Sequence, residues 1–100
     1  NVELGVGYLR YLHQVFSQRT ELPNQLVSVA AANSSALEKL AVAAYNAGEG
    51  RVASAQRRAT QAGLDPSLYE NVEPYLPETT KDYVRKVGEL KHRLEHDHFS

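Results

Sequence analysis

The chain has 100 residues, of which 42% are hydrophobic and 23% are charged. These proportions are typical of one modest globular domain, or part of one, and argue against a wholly disordered chain. The net charge of −1 gives no sign of the basic surface of a nucleic-acid-binding domain. Cysteine is absent, which excludes disulfides and thiolate metal sites, and no apolar run is long enough to span a bilayer.

The first predicted helix runs roughly from Val2 to Phe16, because its aliphatic residues recur at steps of three and four. The next stretch, Ser17 to Ser35, is less regular and is punctuated by Pro23 and Asn24. The aliphatic residues and alanines that follow predict a short helix capped by Asn24. No stretch of the chain shows the sustained alternation typical of a strand.

The strongest helix prediction covers Ala36 to Ala47, preceded by a break and cap at residues 33–35. Gly48 is predicted to end this helix in a left-handed conformation, which suits glycine because it has no Cβ. A third helix is predicted from about Arg51 to Ala62, and Gly63 is predicted to end it.

The last third of the chain contains three prolines. Asp65-Pro66 predicts a cap and one short turn, and Val72 to Pro77 is predicted to be extended because Pro74 and Pro77 disfavour helix in the residue before each. A final helix is predicted from near Glu78 to about His96. The chain is therefore predicted to be all-α, with about four main helices.

The most informative stretch is the end of the second helix, AAYNAGEGRV at residues 43–52. Tyr45 and Asn46 lie there beside a sharp turn, and such a pair can line a groove. Tyrosine offers a flat apolar face and a hydroxyl, and asparagine offers donors and acceptors, which suits the CH faces and hydroxyls of a sugar. The alternative, which the pattern alone favours, places Tyr45 in the core and makes Asn46 a helix cap.

This stretch resembles the helix-end signature of soluble lytic transglycosylases, which share a goose-lysozyme-like fold. Two flanking pieces agree with the family in kind and order. Residues 1–5, NVELG, followed by Tyr8-Leu9, resemble the family's helix that begins with Asn and an aliphatic residue. Residues 77–80, PETT, followed by Tyr83-Val84, resemble its closing helix. The resemblance implies that residues 1–100 are the C-terminal part of a lysozyme-like transglycosylase domain.

The resemblance also implies the chemistry. Family members cleave the β-1,4 bond between N-acetylmuramic acid and N-acetylglucosamine in peptidoglycan, without a cofactor. One glutamate protonates the leaving oxygen and then acts as base while the muramic C6 hydroxyl attacks, which gives a 1,6-anhydro product. A bacterial protein of the periplasm or cell envelope is implied, with glycan strands of peptidoglycan as partner. The implied substrate-binding residues are Tyr45, Asn46, Gly48, Glu78 and Tyr83, with Glu49 and Gly50 shaping the turn that borders the groove.

The catalytic glutamate itself has no match here. In the family it precedes a serine and is followed by a glycine-rich Met-Gln stretch, but this chain has no Glu-Ser dipeptide and no methionine. We therefore expect an upstream segment of the same parent protein to carry it, and we expect this chain alone to be inactive. Among the possible substitutes Glu3, Glu38, Glu49 and Glu78, the last is the best candidate, but it matches a binding position.

Two further features have unremarkable explanations. His92 and His96 have a spacing compatible with a metal site, but a solvated helix end is favoured and no metal ligand is predicted. Arg51, Arg57 and Arg58 form a small basic patch that could meet the carboxylates of cell-wall peptides, although a solvated face is favoured. The alternative function is a non-enzymatic helical module that binds a glycan or a partner protein.

Overall fold

The structure is a computed structural model that describes the backbone of residues 2–99 and the side chains of residues 7–91. Within the described backbone, four long helices, one single-turn helix and one small sheet follow each other in chain order. They are α1 (Val2–Ser17), β1 (Thr20–Leu22), β2 (Leu26–Ser28), α2 (Ser34–Ala47), α3 (Glu49–Gln61), α4 (Tyr69–Val72) and α5 (Glu78–Phe99). The predicted helical class is confirmed. In this part of the chain, no helix has both the length and the apolarity needed to cross a bilayer.

The predicted short helix after Asn24 is wrong, because this segment is a β-hairpin. Strands β1 and β2 pair in antiparallel register, with Leu22 opposite Leu26. Asn24 and Gln25 close the hairpin with φ angles of 64° and 63°, a region that asparagine tolerates better than most residues. Strands of three residues are too short to produce a recognisable alternation in the sequence.

The hairpin is anchored to the C-terminal end of α1. The buried Ser28 hydroxyl donates to the Val15 carbonyl oxygen at 2.8 Å and accepts from the Thr20 amide at 3.0 Å. Just after β2, the Ala31 amide donates to the Phe16 carbonyl oxygen at 2.8 Å. These bonds satisfy two carbonyls at the end of α1 that have no partner within the helix.

The core lies where α1 and α2 pack together and α3, α4 and the start of α5 close around them. Helix α2 supplies its narrow, alanine-rich face, in which Ala41, Ala43 and Ala44 are fully buried. Leu40 of the same helix and larger side chains from its neighbours fill the space: Leu12, Val15, Phe16, Val52, Tyr69, Val72, Leu76 and Val84. The predicted cap before α2 is confirmed, since Asn33 Oδ1 accepts from the Ala36 amide at 2.8 Å.

A single residue separates α2 from α3. Gly48 has the positive φ that the sequence predicts, 97°, but its ψ of 147° is extended, so it is not left-handed helical. Helix α3 begins at Glu49, two residues before the predicted start, so Glu49 and Gly50 form its first turn. An acidic residue in the first turn is favoured by the positive end of the helix dipole, which explains the earlier start.

The predicted extended segment from Val72 to Pro77 is also wrong in most of its length. Helix α4 is followed directly by a 3-10 turn, Glu73–Tyr75. Pro74 lies at the start of that turn, where a backbone N–H would have no partner within the turn, so the proline costs no hydrogen bond. Leu76, just before Pro77, is extended as predicted, with φ −94° and ψ 154°.

Candidate functional site

Three tyrosines form a row on the surface near the C-terminal end of α2. Tyr45 is 41% exposed, so it is not part of the core, and its ring lies 5.7 Å from that of Tyr8 on α1, tilted by 41°. The Tyr8 ring in turn stacks on Tyr11 at 6.3 Å and 18°, and Tyr11 is 44% exposed. We call Tyr8, Tyr11 and Tyr45 the tyrosine cluster; Tyr11 and Tyr45 are exposed, and the half-buried Tyr8 contacts both.

A carboxylate lies against the tyrosine cluster. The Tyr8 hydroxyl donates to Glu49 Oε1 at 3.1 Å, which ties α1 to the first turn of α3. The short Gly48 connection is what places Glu49 beside α1, directly after the helix that carries Tyr45. The cluster therefore combines apolar ring faces with hydroxyls and a hydrogen-bond-accepting carboxylate, which are the groups that pack against and bind polyhydroxylated ligands.

The surroundings of the cluster shift the acidity of two of its hydroxyls. Burial, followed by the hydrogen bond to Glu49 and the charge of that carboxylate, raises the pKa of Tyr8 from 10.0 to about 12. Burial and then Glu49 also raise the pKa of Tyr11. Both groups are held in their neutral form, so they remain hydrogen-bond donors across the physiological range.

The raised pKa of Tyr8 predicts a pH dependence of stability. Because the folded state favours the neutral hydroxyl, the contribution of Tyr8 is fully present below its ordinary pKa of 10.0 and is lost as the pH rises towards 12. We expect the free energy of unfolding to fall more steeply over this range in the wild type than in Tyr8→Phe. Urea unfolding at several alkaline pH values measures both slopes, and parallel slopes would contradict the assignment.

Asn46 joins the end of α2 to the start of α5. Its Oδ1 accepts a hydrogen bond from the Thr80 hydroxyl at 2.8 Å, and Thr80 is only 1% exposed. Asn46 itself is exposed, and it directly follows Tyr45 in the chain. The side chain therefore links α2 to α5 across the surface that carries Tyr45.

The two remaining candidates lie on different sides of α5. Tyr83, half-buried, follows Thr80 by almost one turn. Glu78 is five residues before Tyr83, roughly 140° away around a helix of 3.6 residues per turn. The Glu78 side chain is 85% exposed and pairs with Lys81 at 3.1 Å, and it borders a depression with Lys39, Tyr69 and Glu73 that does not include Tyr83. The structure thus groups Tyr45, Asn46 and Gly48 closely and leaves Glu78 on a separate flank.

The other groups singled out in the sequence lie elsewhere. Glu38 pairs with Lys91 through both carboxylate oxygens at 2.7 Å, on the α2–α5 surface. Glu3, His92 and His96 fall outside the described side chains. Among the side chains that are described, no group of three histidines, cysteines or acids is arranged to hold a metal ion.

Sequence reasoning gave no role to two members of this site, Tyr8 and Thr80. Tyr8 carries part of the family resemblance but received no role, although the three-residue spacing of Tyr8 and Tyr11 places both on one side of a helix and signals a pair. Glu49 is predicted to shape the turn that borders the groove, but its hydrogen bond to Tyr8 is not predicted. Thr80 lies within the motif at residues 77–80, yet nothing in the sequence links it to Asn46, because the two are 34 residues apart.

Comparison with known proteins supplies the family. The chain matches the family described as the transglycosylase SLT domain over residues 1–66, a stretch that contains the tyrosine cluster and the motif from Tyr45 to Gly50 but ends before Glu78 and Tyr83. No curated protein and no solved structure matches the chain. The family is one of lysozyme-like, mostly helical domains with lytic transglycosylase function on peptidoglycan. Because the match covers about two thirds of its residues, the chain belongs to the transglycosylase SLT domain family.

Proposed function

We propose that this chain supplies one wall of the glycan-binding groove of a peptidoglycan lytic transglycosylase. The observation that carries the proposal is the tyrosine cluster, in which two exposed tyrosines contact Tyr8, together with Asn46 and the Glu49 carboxylate that Tyr8 bonds. Sugar rings stack their CH faces on such rings while neighbouring amides and carboxylates bond their hydroxyls. The substrate is the strand of alternating N-acetylmuramic acid and N-acetylglucosamine, in the periplasm or cell envelope of a bacterium.

In this proposal the chain binds the strand, and the proton for cleavage comes from outside these 100 residues. A general acid for glycoside cleavage needs a raised pKa, which burial against apolar walls provides. Glu78 is largely exposed and paired with Lys81, and Glu38 is paired with Lys91. Glu49 is held by Tyr8. Each of these three carboxylates is held by a partner among the described side chains, which supports an acid supplied by an upstream segment of the parent protein.

Glu78 and Tyr83 have secondary parts in this proposal. Tyr83 lies almost one turn beyond Thr80, whose hydroxyl is bonded to Asn46, so its phenol can extend the same wall. Glu78 stands at the start of α5 with its carboxylate in solvent, where a sugar hydroxyl or an amide can reach it. We propose that both contact the glycan, with Glu78 on the outer edge and the tyrosine cluster at the centre.

The test is binding and turnover by the same chain. We expect the wild-type chain to bind purified glycan strands and to release no 1,6-anhydro product. We expect Tyr45→Ala to weaken binding roughly tenfold, since losing one stacked ring removes about 1–2 kcal/mol of contact. Leu64→Ala is the matched control: Leu64 is 42% exposed but lies beyond the far end of α3. Calorimetry reports affinity, and mass spectrometry of the soluble products reports cleavage.

The outcomes separate the proposal from its alternatives. Anhydro-muropeptides formed by the wild-type chain alone, and lost in Glu49→Gln or Glu78→Gln, would show that a glutamate of this chain acts as the acid. Glycan affinity unaffected by Tyr45→Ala would remove the tyrosine cluster from the groove. A chain that unfolds cooperatively and binds no glycan would favour the second candidate, a helical protein-interaction module, which the closed core of buried side chains also permits.

A further inference from the structure

The first turn of α5 contains a buried threonine whose hydroxyl bonds to α2. Thr80 is only 1% exposed, and its hydroxyl donates to Oδ1 of Asn46 at 2.8 Å. The Thr80 amide donates to the Pro77 carbonyl oxygen at 3.0 Å, so the backbone N–H already has a partner within the turn. Among the residues that the structure describes, the Thr80 hydroxyl bonds to Asn46 alone.

This hydrogen bond joins a buried donor to a side chain on the surface. Asn46 is exposed, so its amide can turn to water if the Thr80 hydroxyl is removed. Valine has nearly the shape of threonine, and Thr80→Val therefore removes the donor without opening a cavity or leaving a buried polar group unpaired. The bond is thus expected to contribute little to stability, and its main effect is on the orientation of Asn46.

The orientation of Asn46 decides which polar group it offers to a ligand. A side-chain amide has an acceptor at one end and two N–H donors at the other. The torsion that exchanges the two ends has broad, nearly twofold minima, so an unrestrained asparagine can offer either end. Because Thr80 holds Oδ1, the free end of Asn46 is Nδ2, which bonds to no other described residue.

We propose that Thr80 is a positioning residue that presents the Nδ2 group of Asn46 to an acceptor oxygen of the bound sugar. The inference rests on the proposed function, in which Asn46 and the preceding Tyr45 belong to the glycan-binding wall. A strand of N-acetylated sugars supplies such acceptors as hydroxyl and acetamido carbonyl oxygens. Fixing one side chain before binding raises the affinity roughly two- to tenfold, since its rotamer entropy is not lost again in the complex.

The first part of the test measures the affinity of the intact chain for purified glycan strands by calorimetry. We expect Thr80→Val to bind roughly two- to tenfold more weakly, while its melting temperature stays within about 5 °C of the wild type. Thr80→Ser keeps the donor and is expected to keep the affinity. Thr79→Val is the matched control, because Thr79 is exposed in the same turn and is expected to bind as the wild type does.

Variants of Asn46 test the polarity of the contact and its coupling to Thr80. Asn46→Asp keeps an acceptor for the Thr80 hydroxyl but has no donor, so we expect its affinity to fall to that of Asn46→Ala. Adding Thr80→Val to Asn46→Ala is expected to cause no further loss, because the two residues act through one contact. A general disturbance of α5 would instead weaken binding by the same factor whether or not Asn46 is present.

A measurement without glycan separates this inference from the proposed function. The heteronuclear NOE of the Asn46 side-chain amide is expected to show an ordered group in the wild type and in Thr80→Ser, and a mobile one in Thr80→Val. If the wild type binds no glycan strands, the proposed function fails, and the role of Thr80 in binding fails with it. The proposed function stands and the positioning role is overturned if the wild type binds strands but Thr80→Val binds them equally well, loses the same factor without Asn46, or leaves the amide equally ordered.

Discussion

Replacing Gln56 by leucine is expected to lower the free energy of unfolding by about 2–4 kcal/mol, because three hydrogen bonds to buried or half-buried backbone groups are lost. Gln56 is completely buried on α3. Its Oε1 accepts from the Val29 amide at 3.0 Å, and its Nε2 donates to the Val29 carbonyl at 3.0 Å and the Pro66 carbonyl at 3.3 Å. The Gln56 side chain thus bonds both backbone groups of Val29, as a neighbouring strand would, and also bonds the loop after α3.

The size of this effect follows from the backbone groups that leucine leaves without a hydrogen-bond partner. Leucine fills a similar volume, so the cost comes from unpaired backbone groups and not from a cavity. For a domain of this size each kcal/mol shifts the melting temperature by about 4–8 °C, so we expect a fall of roughly 10–30 °C in a thermal melt. Gln61→Leu, an exposed position near the end of the same helix, is the control and is expected to change stability by less than about 0.5 kcal/mol.

A second substitution distinguishes hydrogen bonding from packing. Gln56→Glu keeps the acceptor for the Val29 amide but turns a carboxylate oxygen towards two carbonyl oxygens. Its folded-state pKa is therefore expected to lie above the unfolded value of about 4.3. The variant should approach wild-type stability at acidic pH and lose that stability as the pH rises through the folded pKa. If Gln56→Leu has the melting temperature of the wild type, or if the stability of Gln56→Glu does not depend on pH in this way, then the hydrogen bonds of Gln56 do not stabilise the fold.

The helical part of this fold is predictable because its signals are local. Apolar spacing, the cap at Asn33 and the breaks at Gly48 and Gly63 all act within one or two turns, and the four long helices follow them closely. The hairpin was missed for the opposite reason. Its strands are three residues long, and Ser28 and Gln56 stabilise it through bonds to α1, α3 and the loop after α3. Partners that distant leave no periodicity in the sequence.

The candidate site likewise has a part that local sequence predicts and a part that depends on distant contacts. Tyr45, Asn46 and Gly48 are contiguous, so a motif finds them together. Tyr8 and Glu49 join them only because α1 packs beside the α2–α3 connection, and the sequence separation of 41 residues hides their hydrogen bond. Glu78 illustrates the converse: a motif proposes it, but helix geometry turns it away from Tyr83. A motif therefore identifies residue types, while packing decides which side chains share a surface.

Replacing Gly48 by alanine is expected to destabilise the fold and to weaken glycan binding together. The backbone of Gly48, φ 97° and ψ 147°, lies in a region that residues with a Cβ rarely adopt. An added Cβ would meet no atom within 4 Å, so the cost, about 1–3 kcal/mol, comes from backbone strain alone. To relieve the strain the α2–α3 connection must rotate, which moves Glu49 relative to Tyr8 and Tyr45.

Gly88→Ala is the matched control, since Gly88 lies within α5 with an ordinary φ and an equally open Cβ position. There the same substitution is expected to stabilise the chain by up to about 1 kcal/mol, because alanine favours helix. Urea unfolding of both variants, with glycan affinity measured alongside, gives the comparison. If Gly48→Ala lowers the free energy of unfolding while Gly88→Ala raises it, and only Gly48→Ala weakens glycan binding, then Gly48 sets the geometry of the groove wall. If the two variants are equally stable, the α2–α3 connection adopts an ordinary backbone conformation. The Tyr8–Glu49 and Thr80–Asn46 hydrogen bonds then position the groove wall instead.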